Sequence, residues 1–135
     1  MRWTLSALLL LLNFPVSVAA EDGKPEMTTY YFGMLMRGPK WSPEETPERA
    51  ELQQQHLAYM DGMHKKGRLL IAGPLTDDGT LRGLVVYKAA SIEEARGFAE
   101  ADPAVRAGRL KVELHPWMVK KGILREPEIE TRSER

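Results

Sequence analysis

The chain has 135 residues, with 19 basic and 19 acidic side chains, 43% hydrophobic residues and no cysteine. A formal charge of zero removes the electrostatic case for nucleic acid or anionic lipid as a partner. The missing cysteine excludes disulfides, thiol nucleophiles and cysteine-ligated metals, together with the lipid-bearing residue of a lipoprotein signal.

The first twenty residues, MRWTLSALLLLLNFPVSVAA, combine one basic residue (Arg2), an apolar run from Leu5 to Leu12, and small residues up to Ala19 and Ala20. This is the layout of a secretory signal peptide, residues 1–20, cleaved after Ala20. A spanning helix needs about 20 apolar residues. Asn13 and Pro15 interrupt the run too early for that, so no stable membrane insertion is expected. The mature chain is expected to be exported, periplasmic or secreted. It keeps 115 residues, enough for one domain with a modest core.

MTTYYFGMLMRG alternates, with Tyr30, Phe32, Met34 and Met36 on one face and Tyr31, Gly33, Leu35 and Arg37 on the other. Period two with aromatic residues predicts a strand, and two apolar faces predict cover on both. The proline-rich connection GPKWSPEETPE carries Trp41 and has the length of a lid or binding loop. From Pro47 to Lys66 the period becomes helical. Leu52, Tyr59, Met60 and Met63 lie within about 60° of His56 on the helix surface. Gly67 stands where a left-handed cap ends such a helix. RLLIAGP reads as a buried strand closed by Gly73 and Pro74, and the Asp-Gly turn in TDDGT returns LRGLVVYKA as its hairpin partner.

Ser91 and Glu94 form a capping box ahead of a second helix, whose apolar stripe is Ile92, Ala95, Phe98 and Ala99. In the final strand Val112, Leu114 and Met118 take one side; Lys111, Glu113, His115 and Trp117 take the other. Residues 121–135 are charged and patternless, so a disordered tail is expected.

Strand, helix, strand, strand, helix, strand is the split plan of a ferredoxin-like α+β domain, βαββαβ with an antiparallel sheet, placed at 27–120. Two helices cover one sheet face. The other is expected to carry Tyr31, Leu35 and Trp117, and a second copy packed sheet to sheet would cover it, giving a homodimer.

HLAYMDGMHKKGRLLIAGPL, GTLRGLVVYKAASIEEARGFAEADPAVRAG and VELHPW together resemble the YciI-like, or YCII-related, family. The resemblance runs from about Met27 to Val119 and rests on four pieces in order: His-x-x-Tyr on a helix, a Gly-Pro strand end, a Ser-x-x-Glu-Ala helix start and an Asp-Pro. It implies a dimeric α+β barrel and a dyad at His56 and Asp102. Likeness to neighbours such as muconolactone isomerases implies proton transfer on a small unsaturated acid.

The residues themselves bear on that dyad. A histidine in an apolar stripe is ordinarily a core residue bonded to a backbone carbonyl, but a buried imidazole needs partners for both nitrogens. Asp102 could supply one. As the residue before Pro103 it also suits the cap of a short helical turn, and a carboxylate can do both. Such a pair suits general acid–base catalysis, with the carboxylate fixing the ring tautomer.

Around it, Tyr59, Gly73 and Pro74 are the expected substrate-binding residues, each with a plain structural alternative as core aromatic or turn. Arg37 and Arg82 are either carboxylate ligands or solvated charges. His56 and His64 lack chelating spacing and His115 tends to the outer sheet face, so neither metal nor cofactor is expected. Two functions remain open: a lyase or isomerase using the dyad on a small carboxylic acid, and a non-catalytic dimeric small-ligand-binding or scaffold module.

Overall fold

The computed structural model describes residues 23–126; the leader at 1–20 and the end of the tail, 127–135, lie outside the described residues. The elements in chain order are β1 (Met27–Arg37), α1 (Pro47–Lys65), β2 (Leu69–Pro74), β3 (Leu81–Tyr87), α2 (Ile92–Glu100), α3 (Pro103–Arg106) and β4 (Leu110–Lys120). Four antiparallel strands stand in the order β2-β3-β1-β4, the ferredoxin-like arrangement.

Local chemistry places each helix. Thr46 caps α1 by accepting from the Arg49 N–H at 3.1 Å, with Pro47 at the first helical position, where its missing N–H is not needed. At the other end Gly67 adopts φ +70°. Its N–H bonds to the His64 carbonyl at 2.8 Å, and the Arg68 N–H reaches Met63 at 3.0 Å. These are the paired bonds of a Schellman cap. Ser91 caps α2 by accepting from Glu94 N–H at 3.1 Å, while the Glu94 carboxylate reaches back to Ala90 N–H at 2.6 Å.

The helices cover one sheet face. Its core gathers Tyr31 and Leu35 of β1, Val85 and Tyr87 of β3, Leu69, Met60 and Met63, and Ala95 and Ala99. The expectation that Tyr31 and Leu35 face away from the helices is therefore corrected. Both faces of β1 are apolar, so alternation separates the two sets without saying which faces inward. Trp117 does lie on the open face. It is opposite Tyr30 in the β1–β4 register and meets Phe32 edge-on at 5.9 Å. Phe32, Met34, Val86 and Ile71 share that face through their register partners, and Ile71 is 60% exposed.

Beyond β4 the first residues of the expected tail fold back. Lys121 N–H donates to the Glu26 carbonyl at 2.8 Å, and the Tyr30 hydroxyl donates to Glu126 at 3.1 Å beside the Lys88–Glu126 ion pair. Tyr30 is buried. Among the described residues no helix is long and apolar enough to cross a membrane.

Candidate functional site

The inward face of α1 carries His56, and the short link between α2 and α3 carries Asp102. A residue before proline is confined to extended backbone, and Asp102 has φ −62° and ψ 125°. That conformation lets its Oδ1 accept the Ala104 N–H at 2.9 Å, capping α3. The same carboxylate meets the imidazole: His56 Nδ1 is 2.9 Å from Oδ1 and 2.8 Å from Oδ2. Asp102 is 1% exposed and the His56 side chain 12%. An ionised carboxylate only accepts, so it holds the ring in the tautomer protonated at Nδ1. Nε2 has no protein partner among the described residues.

His56 borders a cleft of about 390 Å³ between α1, the β2–β3 hairpin and the Trp41 loop. Gly73 and Pro74, two of the expected substrate-binding residues, line it. Tyr59 does not. Its hydroxyl donates to the Phe98 carbonyl at 2.6 Å, which uses its single proton inside the fold. This residue, expected as a substrate ligand, shares a helix face with His56 three residues along but lies over different neighbours, outside the cleft lining. Burial, then the nearby Asp102 charge, raises the Tyr59 pKa. Tyr87 lies beneath the same region. Its hydroxyl is buried with no hydrogen-bond partner among the described residues, and burial, with Asp102 adding to it, pushes its pKa well above the ordinary phenol value.

Trp41, on the connection expected to be a lid or binding loop, forms a cleft wall; the residues that the sequence reading does not single out are Arg49 and Arg109. Arg82, weighed as a carboxylate ligand or a solvated charge, also lines the cleft; Arg37 is absent from its lining. The Gly38 and Lys40 N–H groups donate to the Arg109 and Gly108 carbonyls at 2.8 Å, fixing the Trp41 loop against the start of β4. A Cβ at Gly38 would meet the Gly108 carbonyl oxygen, so glycine permits this close approach. The signals were present in the run KWSPEE and in the isolated Arg82 and Arg109, but they converge only through the fold. Among the described residues no three His, Asp or Glu side chains gather as a metal site.

The family model for the YCII-related domain matches residues 34–118. The chain belongs to the YCII-related family. It is similar to the uncharacterized protein YjpA of Bacillus subtilis, 30% identical over 91 residues that make up 67% of this chain and 96% of YjpA. It is also similar to protein YciI of Escherichia coli O6:H1, 36% identical over 69 residues, 45% of this chain and 70% of YciI. Among solved structures, one match is the 5-chloro-2-hydroxyhydroquinone dehydrochlorinase TftG of Burkholderia phenoliruptrix AC1100 in complex with 2,5-dihydroxybenzoquinone. That match is at 22% identity and TM-score 0.49, over 64% of this chain and 92% of TftG.

Proposed function

We propose that this YCII-related protein is a small-molecule enzyme of lyase or isomerase type that moves a proton on a small unsaturated acid. His56 is the proton carrier and Asp102 the group that orients it. In this reading Nε2 takes a proton from carbon next to a carboxyl or carbonyl group. It then returns that proton to another carbon, or the electron pair left behind expels a leaving group and forms a double bond.

One observation carries the reading. The Nδ1 side of the imidazole is engaged by a buried carboxylate, while the ring borders an open cleft. A core histidine satisfied by packing would bury both nitrogens, whereas a proton carrier needs one fixed and one free. Among the described residues no serine is arranged as a nucleophile, since Ser91 is a helix cap and Ser42 accepts from the Glu44 N–H. The chemistry calls for no cofactor.

The reading extends to the whole protein. The 1–20 leader directs export to the periplasm or medium, and the apolar open face of the sheet packs on a second copy to make a homodimer. Screening small carboxylic acids for turnover by the purified mature chain tests the central claim. Conversion that persists undiminished in both His56→Ala and Asp102→Asn would overturn it.

A further inference from the structure

Trp41 is the meeting point of three guanidinium groups. The Cζ atoms of Arg109, Arg37 and Arg82 lie 4.2, 5.1 and 5.2 Å from its ring centroid. They arrive from three places in the chain: the end of β1, the body of β3 and the turn before β4.

The acidic groups close by are few. Arg49 pairs with Glu45, and Arg37 and Arg82 share the single carboxylate of Asp78 at 3.5 and 3.4 Å. Both acids stand mostly in water, with side chains 82% and 91% exposed, so they screen the cluster weakly. Arg109 has no carboxylate partner among the described residues; its Nη1 donates to the Ser42 carbonyl at 2.9 Å. Burial, then the like charges of Arg49 and Arg82, push its pKa down against the opposing pull of Glu45.

Trp41, Arg82 and Arg109 border the same cleft as His56, and among the described residues no aspartate or glutamate does. Like charges gathered at a cleft wall are unfavourable until an anion joins them. A guanidinium within cation–π reach of an indole is held near it without spending its N–H donors, and its planar fork matches the two oxygens of a carboxylate. Arg49 is the most heavily engaged, its Nη1 serving the Pro43 and Glu44 carbonyls and Glu45. Arg82 Nη1 serves the Gly79 carbonyl and Asp78, and Arg109 Nη1 the Ser42 carbonyl, so in both it is the Nη2 and Nε side of the guanidinium that is left for an anion.

We infer that Trp41, Arg82 and Arg109 form the subsite that holds the substrate carboxylate in the His56 cleft, and so determine specificity for acids. This rests on the proposed use of that cleft and adds where the acid group sits. Arg82 and Arg109 bind the carboxylate, and Trp41 holds both in position.

Binding can be measured without turnover. The mature Trp117→Phe protein leaves Trp41 as its only indole and hence its fluorescence reporter. The probes are benzoate and fumarate, their uncharged amides benzamide and fumaramide, and inorganic phosphate, each titrated by fluorescence and calorimetry. Both acids are expected to bind saturably, with the amides about ten-fold weaker or worse, the scale of one charge-assisted hydrogen bond.

Arg82→Gln and Arg109→Gln should each weaken acid binding by about ten-fold or more, with Arg109→Lys retaining part of it. Arg82 makes no bond to the Trp41 loop, so its variant reports on binding even where loss of Arg109 unsettles the fold. No saturable acid binding, equal binding of acids and amides, unchanged affinity in Arg82→Gln, or phosphate binding more tightly than either acid would each overturn the assignment. His56→Gln separates the two levels: lost turnover with retained binding supports both. Turnover that survives it while the arginine variants lose binding sinks the proton-transfer reading and leaves the subsite standing.

Discussion

The Nδ1 atom of His56 stands 2.9 Å from Oδ1 and 2.8 Å from Oδ2 of Asp102, so its N–H is shared between both oxygens. Oδ1 also accepts the Ala104 N–H. One buried carboxylate thus orients the ring and caps α3, and its replacements should separate the two duties. Asp102→Asn keeps an oxygen for the cap but puts the ring tautomer at risk. It should lower kcat by about 10²–10⁴-fold, the range for a disabled general acid–base group, with a modest shift in urea midpoint. Asp102→Ala removes both functions and should destabilise the domain by about 3–5 kcal/mol, as expected when one partner of a buried pair is deleted. Equal destabilisation by the two variants would contradict this division.

Tyr87 yields a pH prediction. Its hydroxyl is buried with no partner among the described residues, and its folded-state pKa is raised, first by burial and then by Asp102. Below pH 10, the ordinary phenol value, folded and unfolded chains both keep the proton and stability is unaffected. Above it the unfolded chain releases the proton while the folded one retains it, so stability falls as pH rises. The loss is about 1.4 kcal/mol per pH unit for this one group. Tyr87→Phe should flatten the alkaline limb by that amount. At neutral pH it should stabilise the domain by about 1 kcal/mol, since an unsatisfied hydroxyl is removed. Denaturant midpoints from pH 7 to 11 check both.

Gly38→Ala should be disproportionately costly for a single methyl group. The new Cβ would stand 2.9 Å from backbone carbons of Arg109 and Leu110. Backbone on both sides cannot turn aside as a side chain can. A loss of about 1–3 kcal/mol, the usual scale of overpacking, is expected, together with a shift in Trp41 emission as the loop lifts.

The proposed homodimer would use the open sheet face. Sedimentation of the mature protein should give a dimer at micromolar concentration, and Phe32→Arg should give a folded monomer. A wild-type monomer would show that the face is covered by something else. Export has its own check: the protein recovered from culture medium or periplasm should begin at Glu21.

Much of this domain is legible in its sequence. The strand alternation of β1, the Ser91–Glu94 box, the Gly67 stop and the Asp102–Pro103 cap are all local chemistry, and each appears where its residues predict. The His56–Asp102 contact was accessible only in part: an imidazole among leucines and methionines demands a polar partner, and it was the family resemblance that pointed to Asp102. Features that depend on distant neighbours were not accessible. Tyr31 and Leu35 were assigned to the wrong face because β1 is apolar on both. Tyr59 donates to a carbonyl 39 residues away, and no helical wheel contains that carbonyl. The arginines around Trp41 look like ordinary surface charges until β1, β3 and the start of β4 lie side by side.

The double duty of Asp102 bears on how this family can change over time. A descendant that abandoned chemistry would still need the acid to begin its short third helix, while nothing in the backbone would oblige it to keep the imidazole. Across relatives, the ring is therefore the informative letter and the acid a silent one. A lineage that has exchanged histidine for leucine while retaining Asp-Pro is the expected signature of a retired catalyst.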